Sequence, residues 1–397
     1  HYLSFIFYYL MKKKIAILGS TGSIGVNTLR IIKKDKKNFD IILLSTNKNI
    51  HKIFKQAKEF KVKNIIISDL NSFKKAQIKF KKTKVKVFND FNSFKKIFKK
   101  KNDFIMSSIT GLSGLEPTLK SIKFTKNILV ANKEAIICGW NLIAKELKKH
   151  KTGFIPVDSE HFSIFSLINS GDKKEIDKIY ITASGGPFLN FPKKNFFKIK
   201  PSQALKHPNW KMGKKISIDS ATLMNKVFEV IEAKNIFNID YEKISILTHP
   251  KSYLHAIVKF KNGLVKLLVH EPDMKIPIYN SIYSKATQNF DSKPINLKII
   301  NNLDLKKIDL KKFPLVNILN RLPKKNSLYE TVLITVNDFL VYKFLDSKIN
   351  FNQLIMLINK FSSLKEFQKY KEIRPQNAHE IYKLRDYVSL KLSSLGI

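Results

Sequence analysis

From Met11 onward, short apolar runs alternate with segments of helical periodicity. KKIAIL (13–18), NFDIILLS (38–45), NIIIS (64–68), KVKVF (84–88), DFIMSSI (103–109) and NILVA (127–131) have the length and the Ile/Val content of buried strands. Helix-length segments separate them, beginning with the apolar-periodic IGVNTLRIIKK (24–34). Strand, loop, helix and strand in succession predict parallel βαβ units. The expected class is α/β, with an N-terminal Rossmann-like parallel sheet over residues 11–155. Residues 156–283 mix strand and helix patterns and predict a central α+β catalytic domain. Residues 284–312 have little periodicity and are expected to link it to a C-terminal helical bundle over 313–397, where SLYETVLITVNDFLVYKFL (327–345) is the clearest helix. Few apolar positions recur across 189–215, so residues 185–215 are expected to form a lid. HYLSFIFYYL (1–10) precedes Met11 without a basic segment or a cleavage site, and reads as an upstream extension.

The first strand runs into GSTGSIG (19–25), a G-x-x-G-x-x-G loop that opens a helix. Glycines there let backbone approach a pyrophosphate at a helix N-terminus, although a plain tight turn would use the same residues. The second strand ends in STNKN (45–49), with no acid to hold a ribose 2′-hydroxyl. Serine, threonine, lysine and asparagine suit a 2′-phosphate, so NADP is preferred over NAD.

Candidate metal chemistry lies further on. FIPVD reads as a strand, which would turn Asp158 and Glu160 to one side. Two same-facing carboxylates repel unless a cation lies between them, and hard oxygen donors suit magnesium or manganese. A bare D-x-E is equally an exposed strand end. KISID (215–219) also reads as a strand, with Asp219 or Ser220 capping the following helix. On that helix Asn225 and Glu229 share a face. Glu229 is a candidate third oxygen ligand, and Ser220, Asn225 and Lys226 are candidate phosphate contacts. ASGG places Ser184 in a turn after the strand DKIYIT, another phosphate candidate. HPNW (207–210) puts a titratable ring beside a large aromatic in a polar stretch. Lys133 in ANKE opens a helix at a sheet edge, where a substrate hydroxyl or phosphate would find it.

Composition changes this picture little. The chain has 397 residues and a formal charge of +42, which first suggests a nucleic-acid binder. Only four of its 73 basic residues are arginines (Arg30, Arg321, Arg374 and Arg385), and the lysines are spread along the chain. Arginine is the residue of bidentate phosphate and base contacts, so no specific nucleic-acid partner is expected. No apolar run reaches the ~20 residues of a membrane span. The single cysteine, Cys138, lies in an apolar stretch, excludes an intrachain disulfide and suits a reducing compartment, the bacterial cytoplasm.

Taken together, GSTGSIG, ANKE, VDSEH, SGGPF, HPNWKMGKKIS-DSATLMNK–E and EPDM (271–274) closely resemble the 1-deoxy-D-xylulose 5-phosphate reductoisomerase family, from Met11 to about residue 280. That resemblance implies NADPH, a divalent cation (Mg2+ or Mn2+, with Co2+ possible), a phosphosugar substrate, and a homodimer. It implies NADPH contacts from Thr21, Gly22, Ser23, Ile24, Asn47, Lys48, Asn49, Asn132, Glu134 and Gly213. It implies metal ligation by Asp158, Glu160 and Glu229, and a catalytic set of Lys133, Asp158, Glu160, His207 and Glu229. Substrate would be met by Lys133, Ser159, Glu160, Ser184, His207, Ser220, Asn225, Lys226 and Glu229, under Trp210 of the lid. Three departures stand out. Asn47 replaces a usual glycine and is expected to crowd the ribose, the family's HPQS is HPKS (249–252), and its C-terminal NAANE is ITVND (334–338). HPKS and LVKLLVHE are expected to pair across Asn262–Gly263 as a structural hairpin. The rival readings are another NADP-linked sugar-phosphate or semialdehyde dehydrogenase, and a basic nucleic-acid binder on a relic enzyme fold.

Overall fold

The computed structural model describes residues 12–168, 173–283 and 290–396. The expected extension at 1–10 lies outside the described residues, as does the first part of the expected linker, 284–289. The described chain forms two compact units. One comprises the chain up to Asn132, Ile143–Asp158 and Met274–Phe290. The other comprises Lys133–Leu142, Ser159–Asp273 and the chain from Asp291 onward. This division departs from the expected boundaries in two places. The segment from Met274 groups with the N-terminal unit, and the C-terminal helices share one unit with the central segment.

The first unit is a seven-stranded parallel sheet. Its strands are β1 (Lys13–Leu18), β2 (Phe39–Thr46), β3 (Asn64–Ile67), β4 (Lys86–Phe88), β5 (Asn102–Ser107), β6 (Thr125–Val130) and β7 (Gly153–Pro156), in the order β4-β3-β2-β1-β5-β6-β7. Ile15, Ala16, Ile17 and Leu18 are all fully buried, as a strand covered on both faces requires. The chain winds one way from β1 to β4 and returns to β5 on the other side of β1. The carboxyl ends of β1 and β5 therefore flank the point where strand order reverses, the usual ligand crevice of such sheets. Helices α1 (Ser23–Lys34) and α2 (Ile50–Glu59) follow β1 and β2.

The second unit holds a mixed five-stranded sheet in the order β11-β10-β8-β9-β12. Its strands are β8 (Ile176–Ala183), β9 (Ile244–Thr248), β10 (Leu254–Phe260), β11 (Val265–Val269) and β12 (Lys306–Lys307). β10 and β11 form the expected hairpin, with Gly263 at φ +88° in its turn. HPKS is not a strand of that hairpin; it is the turn between β9 and β10. The expected linker supplies β12, paired with β9. Helix α3 (Lys133–His150) opens in this unit and is broken at Gly139, whose φ and ψ are −124° and 20°. The unit's other main helices are α4 (Ser159–Ile168), α5 (Lys214–Ala221), α6 (Met224–Phe237), α7 (Tyr329–Leu345), α8 (Phe351–Ser362) and α9 (Ala378–Ser394). The buried α7 packs against α5, α8 and α9.

Two strand expectations are corrected. β7 ends at Pro156, and Glu160 lies in the first turn of α4, so Asp158 and Glu160 are not i and i+2 of one strand. KISID is helical. Its isoleucines alternate, but Ser217, Ile218, Asp219 and Ala221 are buried while Ile216 is not, and helical i, i+4 spacing brings Lys215 within 3.2 Å of Asp219. Asp219 and Ser220 therefore cap nothing. The next helix is entered through Leu223, which is buried in the left-handed region at φ 60° and ψ 11°.

Candidate functional site

In the first unit the glycine loop leaves β1 at Gly19, whose φ is +84°; a Cβ there would lie 2.7 Å from the carbonyl oxygen of Ser108 beyond β5. A Cβ on Gly25 would lie 2.5 Å from the Gly19 carbonyl oxygen. These two glycines are thus required by close backbone approach. The loop is fastened to the end of β2. Ser20 N–H donates to the Ser45 carbonyl at 2.9 Å, and the hydroxyls of Thr21 and Thr46 share a 2.7 Å hydrogen bond. Gln56 completes the anchorage by donating to the Ser20 carbonyl at 2.9 Å. Gly22 caps α1 with no side chain, so the first-turn N–H groups beyond Ser23 and Ile24 have no side-chain acceptor at the cap.

Lys52 of α2, which sequence reasoning missed, donates to the Thr21 carbonyl at 2.8 Å and so places an ammonium beside the loop. Its only sequence signal is its place in the first turn after STNKN. Asn47 and Lys48 are exposed at the end of β2. The Asn47 side chain donates to Ser68 Oγ at 3.0 Å. Asn49 caps α2, accepting from Lys52 N–H at 3.0 Å. Asn132 is buried at the end of β6, where its amide donates to the carbonyls of Ile109 and Gly111, the latter at 2.8 Å. It thereby holds the loop after β5.

The second unit gathers the charged residues. Glu160 and Glu229 each offer a carboxylate oxygen within 4.8 Å of the other. The Lys226 ammonium pairs with both, with Glu160 Oε1 and, at 2.6 Å, with Glu229 Oε2. Asn225 donates to Glu229 Oε1, and Ser159 Oγ donates to Glu160 Oε2 at 2.5 Å. Lys133, at the start of α3, lies 3.5 Å from Glu229 and 3.5 Å from Glu232. Burial alone would lower the Lys226 pKa, but Glu160 and Glu229 outweigh it and hold it above the ordinary lysine range. His161 Nε2 donates to the Glu229 carbonyl at 2.8 Å, with its Nδ1 3.9 Å from Glu232. The left-handed Leu223 costs about 1–2 kcal/mol for a non-glycine residue, and it sets the start of the helix that carries Asn225, Lys226 and Glu229. Asp158 is two residues before Glu160 and immediately precedes α4.

Ser184 and Ser220 belong to segments in close contact. Gly186, at φ +64°, could carry no Cβ without approaching the Ser220 carbonyl oxygen to 2.9 Å. His207 fixes the Ser184 hydroxyl through a definite tautomer. Its Nδ1 accepts from the backbone N–H groups of Asn209 at 3.1 Å and Trp210 at 3.0 Å. The proton must then be on Nε2, which donates to Ser184 Oγ at 2.9 Å. Ser184 Oγ also accepts from Gly186 N–H at 3.0 Å, so its own proton is left for a ligand. Burial first, and then the Lys226 charge, depress the His207 pKa to about 4, which keeps the ring neutral. Asn209 secures this loop to the HPKS turn, donating to the Pro250 carbonyl at 2.7 Å and to Ser252 Oγ at 2.8 Å. Trp210 meets His255 edge-on at 6.1 Å between centroids, and His255 stacks on His270 at 3.7 Å. Gly213 caps α5, and the space around its Cα is open.

Glu134 forms part of a second charged cluster, in which Asp219 is buried and the other members are partly buried. Lys215 pairs with Glu134 at 3.0 Å, Asp219 at 3.2 Å and Asp338 at 3.0 Å. Neither Lys215 nor Asp338 stands out in the sequence.

Comparison with known proteins identifies the set. Three family models match the chain: 1-deoxy-D-xylulose 5-phosphate reductoisomerase over residues 15–139, its C-terminal domain over 154–237, and DXP reductoisomerase C-terminal domain over 269–388. A 1-deoxy-D-xylulose 5-phosphate reductoisomerase of Pelagibacter ubique (strain HTCC1062) is 58% identical over 387 residues, 97% of this chain and 100% of that protein. The chain belongs to the 1-deoxy-D-xylulose 5-phosphate reductoisomerase family. The reductoisomerase of Persephonella marina (strain DSM 14350 / EX-H1) is 40% identical over 90% of this chain and 92% of its own. Among solved structures, the reductoisomerase from Zymomonas mobilis in complex with NADPH has a TM-score of 0.86 at 28% identity, covering 97% of this chain and 99% of that one. A DOX-P reductoisomerase in complex with NADPH, fosmidomycin and magnesium has a TM-score of 0.88 at 29% identity, covering 96% and 98%. The likeness to reductoisomerases thus continues past residue 280 into the C-terminal helices.

Proposed function

We infer that this chain converts 1-deoxy-D-xylulose 5-phosphate to 2-C-methyl-D-erythritol 4-phosphate with NADPH and a divalent cation, a step of isoprenoid precursor synthesis. Within this structure the observation that carries the reading is the Glu160–Lys226–Glu229 arrangement. Two carboxylates, of which Glu229 is 1% exposed, are held close together with an ammonium between them. Carboxylates so placed require positive charge, and their hard oxygens fit Mg2+ or Mn2+, with Co2+ a possible substitute. Asp158, Glu160 and Glu229 would hold the ion. When bound it supplies Lewis acidity toward substrate oxygens.

The remaining roles belong to side chains. Ser184, Ser220, Asn225 and Lys226 would bind the phosphate, with His207 orienting the Ser184 hydroxyl. Lys133 and Ser159 would meet the substrate's hydroxyl and carbonyl oxygens while a carbon–carbon bond is broken and re-formed. Binding energy at the remote phosphate would then serve the reacting carbons. Trp210, carried on the loop that Asn209 and His207 organise, would cover the substrate and exclude water. Thr21, Gly22, Ser23 and Ile24 would receive the NADPH pyrophosphate. Lys48 and Asn49 would meet the adenosine phosphate, with Lys52 adding a charge. Asn132, Glu134 and Gly213 would lie along the rest of the cofactor, which supplies the hydride.

The chain would act as a homodimer in the bacterial cytoplasm. β11 is an edge strand on which Val265 and Leu267, with Leu264 just before them, are near half exposed or more, and an apolar edge of this kind favours pairing with a second copy. Light scattering on the purified protein would measure this directly, and a monomer at micromolar concentration would count against it.

NADPH oxidation in the presence of 1-deoxy-D-xylulose 5-phosphate and Mg2+ tests the activity. Turnover that EDTA abolishes and Mn2+ restores is expected. Turnover indifferent to EDTA would remove the metal role of the three carboxylates and favour a metal-independent dehydrogenase.

A further inference from the structure

The Lys215 cluster joins three segments of the second unit through one ammonium. Lys215 lies two residues after Gly213, in the first turn of α5. Its partners are Glu134 at the start of α3, Asp219 one turn along α5, and Asp338 on α7, all within 3.2 Å. The ammonium also lies 5.2 Å from the centre of the Phe228 ring. Asn337, beside Asp338, donates to Asp219 Oδ1 at 2.8 Å and so fixes the carboxylate that shares Lys215. A carboxylate this enclosed has its position set by its cation, because the alternative is an unpaired buried charge. Burial pushes Glu134 up, but Lys215, its own backbone amide and Lys133 outweigh that push and hold it ionised.

We infer that Lys215 and Asp338 are positioning residues for NADPH. The C-terminal helix α7, through Asp338, holds Lys215 where it fixes Glu134 and the Gly213 entry to α5. This rests on the reading above, in which Glu134 and Gly213 face the cofactor. It gives the ITVND segment a part in cofactor affinity, although neither Lys215 nor Asp338 is among the residues proposed to touch NADPH or substrate. The metal and phosphate residues Glu160, Glu229, Asn225 and Lys226 hydrogen-bond to one another, so mutation should separate the two functions.

Asp338→Asn tests this, with Asp338→Glu as the conservative variant and Lys215→Arg as a second perturbation. NADPH binding to the full-length protein is followed by cofactor fluorescence without substrate. Mn2+ binding is followed by calorimetry, and KM is measured for NADPH and for substrate. Asp338→Asn is expected to raise the NADPH Kd and KM about tenfold, as loss of an outer-layer orienting partner commonly does. Mn2+ affinity and substrate KM should stay within about twofold, and Asp338→Glu should remain near the unsubstituted protein on every measure. If Asp338→Asn fails to fold, Lys215→Arg carries the same expectation. Unchanged NADPH affinity in a folded variant would overturn the inference. So would parallel losses in NADPH, Mn2+ and substrate binding, which mean general loosening. Failure of the unsubstituted chain to bind NADPH would instead remove the cofactor reading, and this inference with it.

Discussion

Glu229→Gln separates a metal ligand from a merely structural ion pair. The substitution keeps the side chain's shape and removes its charge. Glu229 is buried and has the Lys226 ammonium at 2.6 Å and that of Lys133 at 3.5 Å. At an effective dielectric of 20 these separations correspond to gross attractions of about 6 and about 5 kcal/mol. Most of that is offset by the desolvation of the groups. Removing one member of a buried pair commonly costs about 3–5 kcal/mol. Here the lower end applies, because Lys226 retains Glu160 and Lys133 retains Glu232 at 3.5 Å. At roughly 2–4 °C per kcal/mol for a unit of this size, the metal-free variant should melt about 6–12 °C lower.

The second part of the prediction is the response to metal. A ligand at a hundred times its Kd stabilises the folded state by about 2.7 kcal/mol, so saturating Mn2+ should raise the melting temperature of the unsubstituted protein by roughly 5–10 °C. In Glu229→Gln the third carboxylate is gone, so this rise should vanish and turnover should be nearly abolished. Differential scanning calorimetry with and without Mn2+, in EDTA-treated protein, reads both quantities. A variant that melts lower but keeps the full Mn2+ shift would show that Glu229 is a structural partner of Lys226 and that the ion binds elsewhere. A variant that melts at the original temperature would refute the buried-pair argument itself.

Four further outcomes are expected. Asp158→Asn should reduce turnover to near background at saturating Mg2+ while leaving NADPH binding intact, since Asp158 is assigned to the metal only; near-normal rates would remove that assignment. His207 has a folded pKa of about 4 against 6.5 for the free side chain, so its contribution to stability is present above about pH 6.5 and is lost as the pH falls toward 4; His207→Gln should flatten stability against pH across that window, and an unchanged curve would contradict it. Asn209→Ala breaks the ties to Pro250 and Ser252, so substrate KM should rise about threefold to tenfold with Mn2+ affinity unchanged; an unaltered KM would mean the loop is fixed by other contacts. Gly25→Ala forces a methyl to within 2.5 Å of the Gly19 carbonyl oxygen, so NADPH binding should be lost and stability should fall by about 1–3 kcal/mol; retained binding would show that the glycine loop can shift without consequence.

The parts of the site legible in the sequence are those confined to one element or one turn. β1 occupies the residues its apolar run marked, and the loop from Gly19 to Gly25 follows it as expected, because strand burial and glycine spacing are local signals. Asn225 and Glu229 share a helix face for the same reason, and their side chains do meet. KISID failed because two isoleucines two apart fit a strand as well as they fit a helix with Ile218 inside and Ile216 half-buried; Lys215 also pairs with Asp338, more than a hundred residues away, a contact that no local pattern announces. Separation in sequence also hid Lys52 beside Thr21, Asn209 on Pro250, and the pairing of Lys133 with Glu232, which lie 31, 41 and 99 residues apart. Among 69 lysines no pattern marks Lys226 as a buried one, since a lysine's burial depends on the carboxylates it meets after folding. Yet misreading FIPVD as a strand through Asp158 left Glu160 in the candidate set. The argument for it was that two acids this close need a cation, and that holds for the first turn of a helix as it does for a strand. The spacing of charge pointed to a cation where the assigned conformation was wrong, and the positive charge the fold brings to Glu160 is the Lys226 ammonium, which it shares with Glu229, an acid 69 residues further along the chain.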